Sequence, residues 1–424
     1  RTVTRLEPTK NTHFSHPRTF HLSLSPQHKI AMADMNRSWS KDSAANSIDS
    51  DASDNEQVQQ QHAPAPEVEN GEEVVDLVKS VRVRMEKAQE TREEAEEENE
   101  ATGEEGEGET VGHEDCCFRA GANARAEKAL YGFLDEWPDD TDELELVHCR
   151  LKDLESLGLS RFKSLQKLCV RQNFITDIDG LNGLSQLKEL DMYDNKISHI
   201  RNLNGLTSIE SLDLSFNKIK TIGHLDRLVT LNNLFFVSNK ISRIEGLDTL
   251  TRITNLELGA NRIRVIEGLE ALVNLEQLWL GKNKITKLEG LNTLKKLRLL
   301  SIQSNRLTQI EGLEELENLE EIYLSHNAIK QLSGLDKNLK LRTIDVANNQ
   351  LEHIEGVTHL SKLEEFWANN NLLTSFDEIE QQLADKKNLS TVYFEGNPMQ
   401  RDNQATYRNK VKLAVPQVKQ IDAT

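Results

Sequence analysis

The chain has 424 residues, with 70 Asp+Glu against 51 Lys+Arg and a formal net charge of −19. Nearly all of that charge lies in residues 1–143, which hold 33 acidic and 15 basic residues, whereas residues 144–424 hold 37 and 36. No run approaches the roughly 18 apolar residues that span a bilayer, no apolar signal segment with a small-residue cleavage site opens the chain, and an acidic chain is a poor phosphate binder; membrane, secreted and nucleic-acid-binding classes are therefore not expected.

The first residue is Arg and the first methionine is Met32. Residues 1–31 are read as leader or untranslated-derived sequence, with a truncated but genuine tail as the alternative. Residues 32–143 are read as an acidic disordered region, because sparse apolar residues cannot offset the entropy of ordering. Its extreme is Glu86–Asp115, with 14 acidic residues against Lys87 and Arg92. Two short stretches show helical spacing: Val74, Leu77, Val78, Val81 and Met85, then Leu130, Phe133, Leu134 and Trp137 before Pro138. The second is placed to cover the open end of whatever follows. The first is either a segment that folds on a partner or a transient helix. Ser47, Ser50 and Ser53 lie among acids in a setting that acid-directed kinases favour, one common to disordered acidic tails, and a phosphoprotein is expected without a site being assigned. The four cysteines, Cys116, Cys117, Cys149 and Cys169, have no metal-ligand spacing, and a reducing compartment is expected.

From residue 144 a unit recurs. Segments starting at Leu168, Leu190, Leu212, Leu234, Leu256, Leu278, Leu300, Ile322, Ile344 and Phe366 are spaced by 22 residues. Asparagine keeps step at Asn173, Asn195, Asn217, Asn239, Asn261, Asn283, Asn305, Asn327, Asn349 and Asn371. Degenerate units begin at Leu144 and Val392. The alternation in L-x-L predicts a short strand with one buried side, and the three-residue apolar period that follows suits 3₁₀ or extended turns. Stacking such coils predicts an α/β solenoid of leucine-rich-repeat type, a curved horseshoe with a parallel concave sheet and a 3₁₀ or irregular convex side. The asparagines are expected to point inward and bond the backbone of adjacent turns. Repeats are assigned to residues 144–391. Residues 392–424 are assigned to the last repeat and a cap built on Tyr407, Val411, Leu413, Ala414, Val418 and Ile421.

The residue between the two apolar positions of each strand should face the concave surface. In order this slot reads Glu145, Cys169, Asp191, Asp213, Phe235, Glu257, Trp279, Ser301, Tyr323, Asp345, Trp367 and Tyr393. Five are aromatic in a chain that is only 5% aromatic, five are acidic and none is basic. Such a column suits a protein partner with basic patches. Its carboxylates are expected to be open to water, and with no Gly-rich phosphate loop, nucleophile elbow or His cluster no enzyme activity and no cofactor or metal is expected.

Phe216-Asn217-Lys218-Ile219, the run Leu280 to Leu288, Glu365-Phe366-Trp367 and the ending Gln420-Ile421-Asp422-Ala423-Thr424 resemble the regulatory subunit 7 family of protein phosphatase 1. The resemblance covers residues from about 144 onward. It implies a non-catalytic subunit of nucleus and cytoplasm whose concave face binds the phosphatase catalytic subunit, with room for a third regulatory protein. Contact positions implied by it are Asp213, Phe235, Glu257, Trp279, Asp345, Glu365, Trp367 and Tyr393; the slot itself adds Tyr323. A scaffold for a cytoskeletal or ciliary partner is the alternative.

Overall fold

The computed structural model of the chain describes residues 134–423. The acidic region, the first predicted helical stretch, the serine cluster, Cys116 and Cys117 lie outside the described residues. Thirteen strands form one parallel sheet in strict sequence order, β1 to β13. β1 is Glu143–Glu145, β2 Lys167–Cys169, β3 Glu189–Asp191, β4 Ser211–Asp213, β5 Asn233–Phe235, β6 Asn255–Glu257, β7 Gln277–Trp279, β8 Leu299–Ser301, β9 Glu321–Tyr323, β10 Thr343–Asp345, β11 Glu365–Trp367, β12 Thr391–Tyr393 and β13 Gln420–Ile421. Each three-residue strand buries its central residue, and Leu168, Leu190, Leu212 and their successors pair in register with the corresponding residue of the next rung.

The return path of each coil follows from its three-residue apolar period. Leu206 donates its backbone N–H to Leu203 and Ile209 donates to Leu206, and the same i to i−3 bonds recur at Leu228, Leu250, Leu272, Leu294 and Leu316. A bond to i−3 brings every third side chain to one side, so one row of Leu and Ile fills the core along the stack. Between strand and return, every rung from Gln172 to Asn370 places the residue before its asparagine in the left-handed region; the series includes Phe216 (φ 55°) and Lys282 (φ 55°), where the side chain itself disfavours that conformation. A second left-handed position falls on glycine in most rungs, with Asn202 (φ 60°) and His224 (φ 58°) in its place in two; at Gly290 (φ 69°) a Cβ would lie 2.3 Å from the carbonyl oxygen of Ile266 in the preceding rung. Coils stack here at a distance only glycine permits.

The asparagine amides tie these coils together. Asn261 accepts from the N–H of Ile241 (3.0 Å) and donates to the carbonyls of Phe236 (2.8 Å), Leu258 (3.1 Å) and Gly259 (3.1 Å). The other nine ladder asparagines make the corresponding bonds, as at Asn173, Asn283 and Asn371. Asn397 continues the series, and Asp422 ends it by accepting from the N–H groups of Phe394 (2.8 Å) and Glu395 (3.0 Å). One internal amide has no counterpart in the pattern. Asn338 takes the place of a convex-row leucine, is fully buried, and donates to the carbonyls of Leu313 and Leu316 (both 3.0 Å).

Both ends are covered. Leu134 is buried in a 3₁₀ turn, Leu134–Glu136, and Trp137 packs against the core; the described part of the second predicted helical stretch is thus 3₁₀, not α. Helix α1, Phe376–Leu383, lengthens the coil between β11 and β12; Ser375 caps it by accepting from the Glu378 N–H (3.2 Å). After α2 (Pro398–Arg401), helix α3 (Tyr407–Ala414) buries Tyr407, Val411 and Ala414. Leu413, assigned to this apolar set, is instead 80% exposed: with 3.6 residues per turn it lies opposite the face formed by 407, 411 and 414. The last strand, β13, adds a thirteenth rung that the 22-residue spacing did not reveal.

Candidate functional site

The in-register pairing of β2 to β12 turns the slot after each central residue into one column on the concave face, with rungs about 4.8 Å apart. Glu257 lies between Phe235 and Trp279 on neighbouring strands. Trp279 is followed by the small Ser301 and then Tyr323. Trp367 stands between Asp345 and Tyr393, with its ring centroid 5.7 Å from Tyr393 and 6.2 Å from Tyr323, both edge to face. That arrangement suits the ring quadrupoles and holds all three rings in place. The expected contact residues therefore fall into two groups: Asp213, Phe235, Glu257 and Trp279 on β4–β7, and Tyr323, Asp345, Glu365, Trp367 and Tyr393 on β9–β12.

The expectation that the carboxylates stand open to water is overturned at Asp213, Glu257 and Asp345, while Glu145 is exposed. Asp345 is only 4% exposed, and burial pushes its carboxyl up to about 6 even though the N–H of Ala347 (3.0 Å) and the Ser325 side chain bond it. Burial likewise raises Asp213, against the opposing effect of the Ser215 N–H that bonds it at 2.8 Å. Glu257 is pushed up to about 7 by burial, with the Asn255 side-chain amide as its hydrogen-bond donor at 3.5 Å. At Glu257 and Asp345 rings on both adjacent rungs remove water from the carboxylate between them, whereas Asp213 has a ring, Phe235, on one side only. Tyr323, read as an exposed anchor, is also 4% exposed; its hydroxyl donates to Glu321 (2.7 Å), and it forms a floor under Trp367.

Three of the acids have a second task that the slot reading missed. Asp191, Asp213 and Asp345 each accept the backbone N–H two residues on, at Tyr193, Ser215 and Ala347. A short acceptor here closes the turn after the strand, which explains Asp in this slot without any partner. Nor is the concave face free of positive charge. Arg171, one slot beyond the column, bonds Asp191 (2.7 Å), reaches Asp213 (3.7 Å), and lies over the Tyr193 ring at 4.8 Å. Its position was legible, since it occupies the same repeat slot as Tyr193. Gln420 of β13 donates to the Tyr393 hydroxyl (2.7 Å), a partner that no repeat pattern could reveal. At the other end of the column, burial pushes the Cys169 thiol up to about 11, which keeps it protonated and unreactive near neutrality. Among the described residues no group of three or more His, Cys, Asp or Glu is placed to hold a metal ion, and no helix is long and apolar enough to cross a membrane.

The raised Glu257 value carries a pH dependence of stability. Its folded value of about 7 lies above the ordinary 4.5, so between those values the folded state holds a proton that the unfolded state has lost. Stability contributed by this group is full below about 4.5 and falls as pH rises toward 7, then stays lost. Glu257→Gln keeps an acceptor for Asn255 and removes the buried charge; at pH 8 it should raise stability by about 2 kcal/mol. Denaturant melts at pH 5 and pH 8 measure this. An unchanged pH 8 midpoint would show that the carboxylate is solvated.

Comparison with known proteins places these features. The family model described as "Leucine Rich repeats (2 copies)" matches in overlapping blocks that run from residue 163 to 227 and from 251 to 359. Among curated proteins, the chain is 63% identical over 51 residues to protein phosphatase 1 regulatory subunit SDS22 of Schizosaccharomyces pombe, covering 12% of this chain and 15% of that protein. It is 54% identical over 41 residues to the SDS22 subunit of Saccharomyces cerevisiae, and 56% identical over 43 residues to human protein phosphatase 1 regulatory subunit 7 (10% of this chain and 12% and 11% of the relatives). The matched segment thus spans well under a fifth of the length of these relatives. Among solved structures, an internalin of Listeria monocytogenes superposes with a TM-score of 0.54 at 20% identity, covering 71% of this chain and 95% of the other. A leucine-rich-repeat protein of Leptospira interrogans superposes with 0.53 at 25%, covering 70% and 86%. The chain is a leucine-rich-repeat solenoid, and over a segment of about two rungs it is closely similar to protein phosphatase 1 regulatory subunits.

Proposed function

We propose that this protein is a non-catalytic regulatory subunit that binds the catalytic subunit of protein phosphatase 1 through its concave face. The observation that carries the reading is the column itself. Phe235, Trp279, Trp367 and Tyr393 present partly exposed rings on a rigid sheet, with carboxylates in register between them. Such anchors lose little entropy on binding. A cationic side chain of the partner that enters beside Glu257 or Asp345 replaces a proton as the counter-charge, which favours basic groups over neutral ones at these points. The names of the relatives support this choice of partner, and the column supports this mode of binding.

Titration calorimetry of the full chain with the isolated catalytic subunit tests this. Trp279→Ala should weaken binding by about tenfold or more, whereas the convex Lys295→Ala should leave it unchanged, because Lys295 and its partner Glu315 are both more than half exposed and such pairs contribute little. No heat of binding with the parent protein, or equal losses for both variants, would overturn the reading.

A further inference from the structure

A second charged column runs along the flank of the solenoid, outside the concave face. The residue after the ladder asparagine is basic in six consecutive rungs: Lys196, Lys218, Lys240, Arg262, Lys284 and Arg306. Each donates its backbone N–H to the preceding rung at 2.8 Å, Lys196 to Ile175 and so on to Arg306, which donates to Ile285. This second ladder stacks the six at rung spacing, so their charges span about 24 Å in one line. The slot turns neutral beyond them, at Phe174 on one side and at Ala328, Gln350 and Leu372 on the other. Lys218, Lys240, Arg262 and Arg306 are exposed, and none of the six forms an ion pair with another described residue.

Elsewhere the solenoid pairs its charges from rung to rung, as in Arg243–Glu267 (3.1 Å), Arg298–Glu320 (2.9 Å) and Arg342–Glu364 (2.8 Å). Like charges directly across neighbouring strands disfavour one another, so an uncompensated line of six stands out against that habit. The repeat region as a whole is close to neutral, and the densest surplus of negative charge in the chain lies outside it: Glu86–Asp115 carries 14 acids and two basic residues. We propose that this acidic segment of the same chain docks along the basic flank. The concave face, with its own carboxylates, repels it. The 18 residues from 116 to 133 can span up to about 60 Å, and Arg306, the far end of the column, lies about seven rungs or 34 Å from β1, so every basic rung is in reach. A tethered segment also acts at high effective concentration, so weak contacts suffice.

Carbodiimide coupling of the full chain, which joins a carboxylate to an amine it touches, tests the assignment by peptide mapping. Glu86–Asp115 should couple mainly to Lys196, Lys218, Lys240 and Lys284 within the monomer, and in about 1 M salt, where the screening length is about 3 Å, coupling should fall at least tenfold. In Lys218→Gln/Lys240→Gln/Arg262→Gln, checked by its melting curve, coupling to Lys196 and Lys284 should fall severalfold. Coupling that is no stronger at the flank than at the convex Lys295, coupling confined to dimers, or a flank that couples to nothing would each overturn the proposal. So would a single-stranded RNA that binds the full chain through these lysines while the segment stays uncoupled.

Discussion

Trp367→Ala should weaken binding of the phosphatase catalytic subunit by at least about thirtyfold, or 2 kcal/mol. The ring is half-buried on β11, held edge to face by Tyr323 and Tyr393 and flanked in register by Asp345. A partner therefore meets an anchor whose rotamer is already chosen, and the truncation removes both its contact area and the wall that desolvates Asp345. The same contacts mean that the variant is not neutral for folding: losing two edge-to-face pairs should cost about 1–2 kcal/mol. Binding is thus to be measured well below the melting temperature of the variant. Trp367→Phe, which keeps an aromatic face, should recover most of the affinity. Equal affinity of Trp367→Ala and the parent, with both shown to be folded, would remove this residue from the interface.

Asn261→Ala should destabilise the solenoid by about 1–3 kcal/mol, because it leaves the buried Ile241 N–H without its acceptor and takes one of two donors from each of the carbonyls of Phe236, Leu258 and Gly259, which keep Asn239, Asn283 and Ser238 respectively. The loss centres on the Ile241 N–H, a donor buried inside the stack where water does not replace the amide. Asn261→Asp separates the two functions of the side chain. It keeps the acceptor for Ile241 but offers no donor to three carbonyls and adds a charge, so it should destabilise at least as much. In a one-dimensional array the loss is felt by neighbours on both sides, and hydrogen exchange should rise first at Ile241 and Ile263. A melting midpoint within error of the parent for both variants would show that the stack does not depend on the Asn261 amide.

The two effects come from different layers of the same rung. Asn261 faces the interior and sets whether coils stack; Glu257, four residues earlier, faces outward and sets what the stacked surface binds. The Glu257→Gln variant should therefore gain stability near pH 8 while weakening the proposed interface, a trade between a dry, costly carboxylate and its use.

Sequence alone determined the repeat, its 22-residue spacing, the parallel sheet and the column that faces the concave surface, because each follows from local periodicity: alternation gives the strand, a three-residue spacing gives the return turns, and identical coils can stack in only one register. The aromatic members of the column were legible for the same reason. What the side chains in that column do to one another was decided by the tertiary structure. Burial of Asp345 and Tyr323 and the raised values of Glu257 and Asp213 arise between rungs 22 residues apart, where rings from one coil dry the carboxylate of the next. The pairing of Arg171 with Asp191 and Asp213, the capping of Tyr393 by Gln420 and the turn of Leu413 to solvent are likewise long-range or orientational facts. The left-handed residues before each asparagine show the limit most plainly. Nothing in Phe216 or Lys282 announces a positive φ; the stack imposes it, because the ladder bonds on both sides outweigh the local preference of the residue.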